Sequence, residues 1–443
     1  MIYFCDYLTE MLKKLISFLF LYCFAAAFAQ SYQPVDTADY GQRKDFLTYF
    51  SSNTENLIKK SKSDYPGKRG NELSKIYKEF AKEFENQVKA KDFVFSSVFN
   101  GKIKGLIERL RKNNPQIPQN LKILIAKDNT PNAYCFADGT FVINMGLFNW
   151  LNNDDQLAAV ITHELGHKIS DHTAKAFLDI IDQNQTDKIV VQNIKSTKEN
   201  RNEKAFDIFK NRVYRKGAEN RKQEMQADSI GYMVFKNSDF KKNEFVNTLK
   251  RLEDFDSISP RTLKVETYKK YFSLPKQEFK DKWLKKEDFS LYNYKHYKEK
   301  FNKDSLRSHP EMVLRINNLK KIFPELRAEA PDEKATESYA VLERTARMET
   351  LPNFYHSEDY GVGIYASLQF LQDGEEEGYY KSWLGKCFSK IYEARKNYNL
   401  NRYLDRVDPK NQSESYQQFL NFMWNLSLEE IKNIADYYQT KKS

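Results

Sequence analysis

One short segment constrains this 443-residue chain more than any other: His163-Glu164-Leu165-Gly166-His167. It lies within residues 153–179, where apolar residues recur at the three- and four-residue spacing of a helix with one buried face. These residues are Leu157, Val160, Ile161, Leu165 and Ile169. Asn153 or Asp154 can cap the first turn. The pattern therefore predicts a core helix that presents two histidines one turn apart on the same face.

The residue types at this helix suit a hydrolytic metal site. Neutral imidazoles bind zinc, and two ligands from one helix leave room for a third protein ligand and a water molecule. Zinc lowers the pKa of its water to about 7, but proton transfer still needs a base, which we predict to be Glu164. A chance match is the alternative, expected in well under roughly one chain in a hundred of this size. An enzyme that has lost its activity would carry the same motif.

Length and composition limit the class of protein. A chain of this length usually forms one large domain and a smaller one, and 40% apolar residues are enough to build both cores. The net charge of +10 is compatible with acidic partners or anionic membrane surfaces. Basic and acidic residues alternate, however, as in residues 75–82, which is typical of solvated helix faces. We find no Arg-rich, aromatic-spaced element and therefore expect no nucleic-acid partner.

The first 29 residues have the pattern of a secretory signal peptide. Lys13 and Lys14 precede the apolar run from Leu15 to Ala29, and Ala27-Phe28-Ala29 has the small-x-small form of a cleavage site. The run is shorter than the roughly 20 residues of a membrane span. We therefore predict cleavage after Ala29 and a periplasmic or secreted protein. Its remaining cysteines, Cys135 and Cys387, are compatible either with a disulfide or with two free thiols.

The segments before the predicted helix that carries His163 and His167, here called the metal helix, indicate what surrounds it. Residues 30–45 are interpreted as a leader, followed by helical periodicity over residues 73–88 and 103–110 and a short strand over residues 121–126. Asp138-Gly139 predicts a hairpin within residues 132–148, because a tight turn needs positive φ. Its free strand edge is suited to an extended peptide. A purely structural hairpin would have the same pattern.

A second helix offers acidic partners for the histidines. Residues 183–220 are polar and weakly periodic and are interpreted as an exposed insertion or loop. Glu224 and Asp228 then lie one turn apart on one helix face. Glu224 can complete the ligand set, and Asp228 can accept a hydrogen bond from a ligand histidine. A solvated acidic pair is the alternative.

With the hairpin segment, the His motif and the Glu224 helix in this order, the chain resembles the HtpX-like and CAAX-prenyl-endopeptidase-like zinc metalloproteases. These are a gluzincin group with soluble periplasmic members of the BepA and LoiP type. The resemblance covers roughly residues 122–319. It rests on Asn132-Ala133 to Gly146-Leu147, the His motif, and Glu224 with Ala227-Asp228. It implies one Zn²⁺ per chain held by His163, His167 and Glu224, and a hairpin strand that binds substrate.

The family usually has Pro-Gly-Gly where this chain has Ala137-Asp138-Gly139, so substrate preference does not carry over. Integral-membrane relatives have spans that are not seen here after Ala29, which favours a soluble exported enzyme.

The four other histidines differ in their surroundings in the sequence. His309-Pro310 with Arg315 resembles the family's distal segment, which implies that His309 stabilises the oxyanion or closes the open metal position. An ordinary histidine before a helix is the alternative. His172 follows His167 by five residues, so we predict that it points away from the metal and is structural. His296 and His356 have no motif context and are interpreted as surface or core residues.

Together these features predict an α+β protein, mainly α. A zincin-type protease domain spans residues 46–328, with a small sheet or hairpin beside the active-site helix. Pro331 to Lys334 is interpreted as a linker, and a helical C-terminal domain spans residues 336–443. The predicted function is an exported zinc endopeptidase that binds proteins or peptides in extended form, with possible envelope-protein partners at the C-terminal domain. The alternative is a chaperone-like scaffold of envelope assembly whose metal site is latent or structural.

Overall fold

The protein is mainly helical with one small mixed sheet, which confirms the predicted α+β, mainly α class. The computed structural model describes residues 32–95, 97–119, 121–184, 217–257, 261–286, 312–374 and 376–440. The helices of these ranges are α1 (Tyr40–Asp64), α2 (Lys68–Lys89), α3 (Val98–Lys112), α4 (Asp154–Ile169), α5 (His172–Asn184), α6 (Gly217–Lys236), α7 (Glu244–Ser257), α8 (Val265–Phe272), α9 (Met312–Ile322), α10 (Glu337–His356), α11 (Tyr360–Asp373), α12 (Glu377–Lys396), α13 (Glu414–Asn425) and α14 (Leu428–Thr440). Short 3-10 helices span Met145–Asn149, Asp281–Leu284, Pro324–Leu326 and Leu400–Arg402. Within the described ranges, no helix is both long enough and apolar enough to cross a membrane.

The sheet places the predicted hairpin at its edge. Its strands are β1 (Phe93–Val94), β2 (Ile123–Ala126), β3 (Ala133–Cys135) and β4 (Phe141–Asn144), in the order β1-β2-β4-β3. β2 and β4 are parallel, whereas β1 pairs with β2 and β3 pairs with β4 in antiparallel fashion. The hairpin turn closes where Gly139 N–H donates to the Phe136 carbonyl, with Gly139 at φ 92°. β1 is only two residues long, too short to show an alternating pattern in the sequence.

The metal helix begins where the sequence predicted and ends earlier than expected. Asn153 Oδ1 accepts a hydrogen bond from Gln156 N–H at 2.9 Å, which confirms the predicted cap. α4 ends at Ile169, and Asp171 adopts φ 53° before α5 begins. The chain therefore turns instead of continuing as one helix to residue 179. Ile169 is 51% exposed, so its predicted place on the buried face is wrong.

Helices extend into both segments that were predicted to be irregular, the leader over residues 30–45 and the loop over residues 183–220. α1 begins at Tyr40, inside the predicted leader. Asp39, just before it, pairs with Arg43 and accepts a hydrogen bond from Phe95 N–H at 2.7 Å. α5 and α6 extend into the predicted loop over residues 183–220, whose residues 185–216 lie outside the described part of the chain.

The described residues form four hydrophobic clusters, and chain segments cross between the two largest. The first surrounds the sheet and α4, and includes Tyr339, Leu342 and Ala346 from the start of α10. The second is built by α8 and the helices from the end of α10 to α14. Because α8 precedes α9 in the chain, the second core takes residues from within the predicted protease domain. The domain boundaries near residue 330 stay a prediction.

The segment predicted to link the domains packs against α4. Asp332 accepts hydrogen bonds from Gln156 Nε2 and Arg251 Nε, both at 2.7 Å. Asn152 Nδ2 donates to the Glu333 carbonyl at 2.7 Å. These contacts attach residues 332–333 to the helix that carries the metal-binding motif.

Candidate metal centre

The candidate metal centre forms because α4 and α6 cross with their backbones in contact. A Cβ atom at Gly166 would lie 2.3 Å from the carbonyl oxygen of Ala227. A Cβ atom at Gly231 would lie 2.7 Å from the carbonyl oxygen of Thr162. Only glycine permits such an approach at both positions. The crossing brings Glu224 of α6 to the face of α4 that carries His163 and His167.

The three predicted ligands are brought together. The Nε2 atoms of His163 and His167 lie 3.1 Å apart. Glu224 Oε2 lies 3.5 Å from His163 Nε2, and Glu224 Oε1 lies 3.4 Å from His167 Nε2. Metal–ligand distances of about 2.0–2.2 Å in a tetrahedron require ligand atoms roughly 3.3–3.6 Å apart. Both His–Glu distances lie in this range and the His–His distance is slightly shorter, so the three residues could hold a metal ion of about this size.

The buried carboxylate of Asp228 orients His163 by contacting its Nδ1 atom. Asp228 Oδ1 lies 2.9 Å from His163 Nδ1, which confirms the contact predicted from the sequence. Burial alone would raise the pKa of Asp228, but Arg315 and His163 lower it to about 2. Asp228 is thus a carboxylate that accepts the Nδ1 proton of His163. The opposite ring nitrogen, Nε2, is then directed at Glu224 and His167.

Arg315 of α9 joins the acidic residues of the site. Its Nε and Nη2 atoms donate to the two oxygens of Asp228 at 2.8 and 2.7 Å. Its Nη1 atom lies 2.9 Å from Glu224 Oε2. Bidentate pairing of this kind fixes both position and orientation. The sequence singled out Arg315 only as part of the segment with His309. The structure shows in addition that Arg315 contacts Glu224, a predicted metal ligand.

His172 orients the second imidazole, which the sequence did not predict. Its Nδ1 atom lies 3.0 Å from His167 Nδ1, and its Nε2 atom lies 3.1 Å from Gln226 Oε1. The prediction that His172 points away assumed one continuous helix, in which five residues separate the two rings by more than a turn. The turn at Asp171 redirects His172 onto the back of the His167 ring. The spacing alone carried no signal of this turn.

These contacts determine which nitrogen atoms carry protons. With Gln226 Oε1 as acceptor, the proton of neutral His172 is on Nε2, and its Nδ1 accepts from His167 Nδ1. His167 Nε2 then keeps a lone pair directed at His163 and Glu224. Burial lowers the pKa of His167 to about 4, so this imidazole is neutral near pH 7. Neutral imidazole is the form that binds a metal.

The predicted base lies in the wall of a cleft beside the ligands. Glu164 is 7% exposed and lines the same pocket as His163. Burial and the nearby Glu224 raise its pKa to about 7. A carboxyl group with this pKa both accepts and releases a proton readily near neutral pH.

The remaining residues singled out in the sequence lie apart from the site or outside the described ranges. His309 and His296 fall within residues 287–311, which are not among the described residues. His356 contacts Asp92 on the surface at 2.8 Å. Cys135 and Cys387 are both free thiols, in contact with different cores. Of the two alternatives left open by the sequence, the structure has two free thiols and not a disulfide.

Comparison with known proteins agrees with this geometry. The profile of Peptidase family M48 matches residues 99–323, slightly more than half of the chain. A 54-residue stretch is 35% identical to the mitochondrial metalloendopeptidase OMA1 of Arabidopsis thaliana. That stretch covers 12% of this chain and 11% of the relative, so the similarity spans only a small part of either protein.

Proposed function

Because the chain belongs to peptidase family M48, we propose that it is a zinc endopeptidase that hydrolyses protein or peptide bonds. The observation that carries this proposal is that ligand atoms of His163, His167 and Glu224 lie 3.1 to 3.5 Å from one another. His163, His167 and Glu224 would hold the metal, and three protein ligands would leave a position for water, as in catalytic zinc sites. Bound zinc would supply a Lewis acid that acidifies water and polarises the scissile carbonyl.

Within this proposal, Glu164 handles the protons of the reaction. Its carboxylate takes a proton from the attacking water and later passes it to the leaving amine. His163 and His167 hold the metal, while Asp228 and His172 keep their rings in place. The cleft beside Glu164 is lined mainly by apolar residues.

The substrate binds as an added strand at β3. Asn132 O accepts from Asn144 N, and Phe136 N donates to Thr140 O, so these residues face β4. Hydrogen-bonding direction alternates along an antiparallel strand, and the backbone groups of Ala133 and Cys135 therefore face the free edge. An extended peptide can pair with this edge beside α4.

The deciding experiment compares wild-type protein with Glu164→Gln. We expect both to bind one zinc ion per chain by metal analysis, and only wild-type protein to cleave an unfolded protein substrate. A chelator should abolish the wild-type activity, and added zinc should restore it. Undiminished cleavage by the variant would refute the role of Glu164. Complementation of a null strain by the variant would favour the scaffold alternative.

We also propose export, with cleavage after Ala29, and envelope proteins as substrates or partners of the helical C-terminal region. The first proposal rests on the apolar run after Lys13 and Lys14, and the second on the family resemblance alone. N-terminal sequencing of the mature protein and cell fractionation test the first. Crosslinking of the Glu164→Gln variant in cells tests the second.

A further inference from the structure

The turn between β3 and β4 is attached to the metal helix by a lysine. Lys168, one residue after His167 in α4, donates from its ammonium group to the carbonyl of Ala137 at 2.6 Å. A Cβ atom at Gly139 would lie 3.4 Å from Lys168 Cε, so the aliphatic part of the side chain also lies against the turn. A hydrogen bond from a charged donor is roughly twice as strong as one between neutral groups. The lysine therefore joins the hairpin to the helix that carries the two histidines.

Two weaker contacts hold the same end of the hairpin. Asn53 of α1 donates from Nδ2 to the carbonyl of Asp138 at 3.2 Å. Thr173 of α5 donates from Oγ1 to the carbonyl of Cys135 at 3.4 Å. Both donors are neutral, and both distances exceed that of the lysine contact. We therefore expect the ammonium group of Lys168 to contribute most to the position of the turn.

β3 connects this attached turn to the cleft at the metal centre. The strand has only three residues, Ala133–Cys135, and spans about 10 Å. At its start, Ala133 lines the cleft together with Glu164. Ala137, the acceptor of Lys168, lies two residues beyond its end. Because the strand is so short, a displacement of the turn also moves the free edge of β3 at the cleft.

We propose that Lys168 is a positioning residue for the substrate, because its contact with Ala137 fixes the free edge of β3 relative to His167. This inference rests on the proposed peptidase function and on the pairing of an extended peptide with β3, and it names the residue that sets where that peptide lies. A misplacement of about 1 Å is enough to lower a reaction rate roughly 100-fold. Lys168 acts through the hairpin and not on the reacting atoms.

The test measures kcat and KM of wild-type protein and Lys168→Met for two peptides with the same cleaved bond. The long peptide can pair along β3, and the short peptide contains only the residues next to the bond. Methionine keeps the apolar part of the side chain and removes the ammonium group. We therefore expect kcat/KM for the long peptide to fall about tenfold, mainly through a higher KM. The value for the short peptide should change less than about twofold.

Three further variants complete this test. Lys168→Arg still donates to the carbonyl and should restore most of the lost efficiency. Lys104→Met changes an exposed lysine of α3 and is the matched control, which should leave both peptides unaffected. Asn53→Ala loosens the other side of the same turn and should also raise KM for the long peptide. It replaces Lys168→Met in the test if that variant fails to fold.

Two results would overturn the positioning role. Unchanged kinetics of Lys168→Met with the long peptide would show that the contact does not set the position of the β3 edge. An equal loss for both peptides, or a loss of bound zinc in metal analysis, would show that the lysine supports the metal centre itself.

Peptide binding by inactive protein separates this inference from the proposed function. Fluorescence anisotropy of the labelled long peptide compares Glu164→Gln with the double variant Glu164→Gln, Lys168→Met. We expect the double variant to bind about tenfold more weakly. If wild-type protein cleaves neither peptide but this difference is found, the positioning role stands and the peptidase function fails. If wild-type protein cleaves the long peptide while both variants bind it equally, the function stands and the positioning role is wrong.

Discussion

Gly231 of α6 lies against the backbone of His163 in α4, so closely that a Cβ atom at Gly231 would stand 2.9 Å from the His163 Cα. This contact sets the distance between the two helices that supply the metal ligands. A side chain of any size at position 231 would push Glu224 away from the two imidazoles. The ligand set thus depends on a residue that has no side chain of its own.

Gly231→Ala should therefore weaken zinc binding and destabilise the protein by about 1–3 kcal/mol, the usual cost of overpacking. Zinc titration and denaturant unfolding measure the two effects. Gly105→Ala is the control, because a Cβ atom at Gly105 in α3 meets nothing within 4 Å. That change should leave the protein unaffected or slightly more stable. Wild-type zinc affinity in Gly231→Ala would show that the close crossing does not set the ligand geometry.

Arg315→Met should destabilise the protein by about 3–5 kcal/mol, because it leaves Asp228 and Glu224 as buried carboxylates without their partner. Denaturant unfolding of the metal-free protein measures this loss. Arg344→Met removes a solvent-exposed pair with Glu376 and should cost no more than about 1 kcal/mol. Equal effects of the two substitutions would contradict a special role for the buried pair.

His172→Phe should lower zinc affinity about 10- to 100-fold, the range typical of residues that orient a metal ligand. The variant keeps an aromatic ring but loses the nitrogen that contacts His167 Nδ1. Competition with a chromophoric chelator measures the affinity, and the absorption spectrum of the cobalt-substituted protein reports the ligand geometry. His356→Phe, on the surface, is the control and should change neither. An unaltered affinity and spectrum in His172→Phe would mean that this ring only fills space.

Glu430→Gln should lower stability in a pH-dependent manner. Glu430 and Ser427 form the capping box predicted for α14, with reciprocal hydrogen bonds at 2.8 and 3.2 Å. Burial alone would raise the pKa of Glu430, but Lys280 and Ser427 lower it to about 2. Since the folded pKa lies below the ordinary value of 4.5, the stabilisation is present above about pH 4.5 and is lost as pH falls towards 2.

We therefore expect wild-type protein to exceed Glu430→Gln in free energy of unfolding by roughly 0.5–2 kcal/mol at pH 7, the usual contribution of a helix cap. The difference should stay constant down to about pH 5 and shrink progressively as the pH falls from about 4.5 towards 2. Urea unfolding across this pH series measures it. A difference that grows as the pH falls would contradict the lowered pKa of Glu430.

The sequence by itself determined the local elements and the chemistry of the ligands. Periodicity and capping residues predicted α4, the hairpin and the start of α14, because these signals depend on neighbours a few residues apart. The His motif and Glu224 were recognisable for the same reason: residues one turn apart share a helix face. The choice of Glu224 over other carboxylates came from the family resemblance.

Only the tertiary structure decided how these helices and strands contact one another. The glycine contacts between α4 and α6 join residues more than sixty positions apart, and no local pattern in the sequence predicts contacts over that distance. The turn at Asp171, which places His172 on His167, depends on one backbone angle. The pocket beside Glu164 is lined by residues from five separate segments of the chain. The helix crossing and the pocket arise from packing between residues that are distant in the sequence, and their separations cannot be read from it.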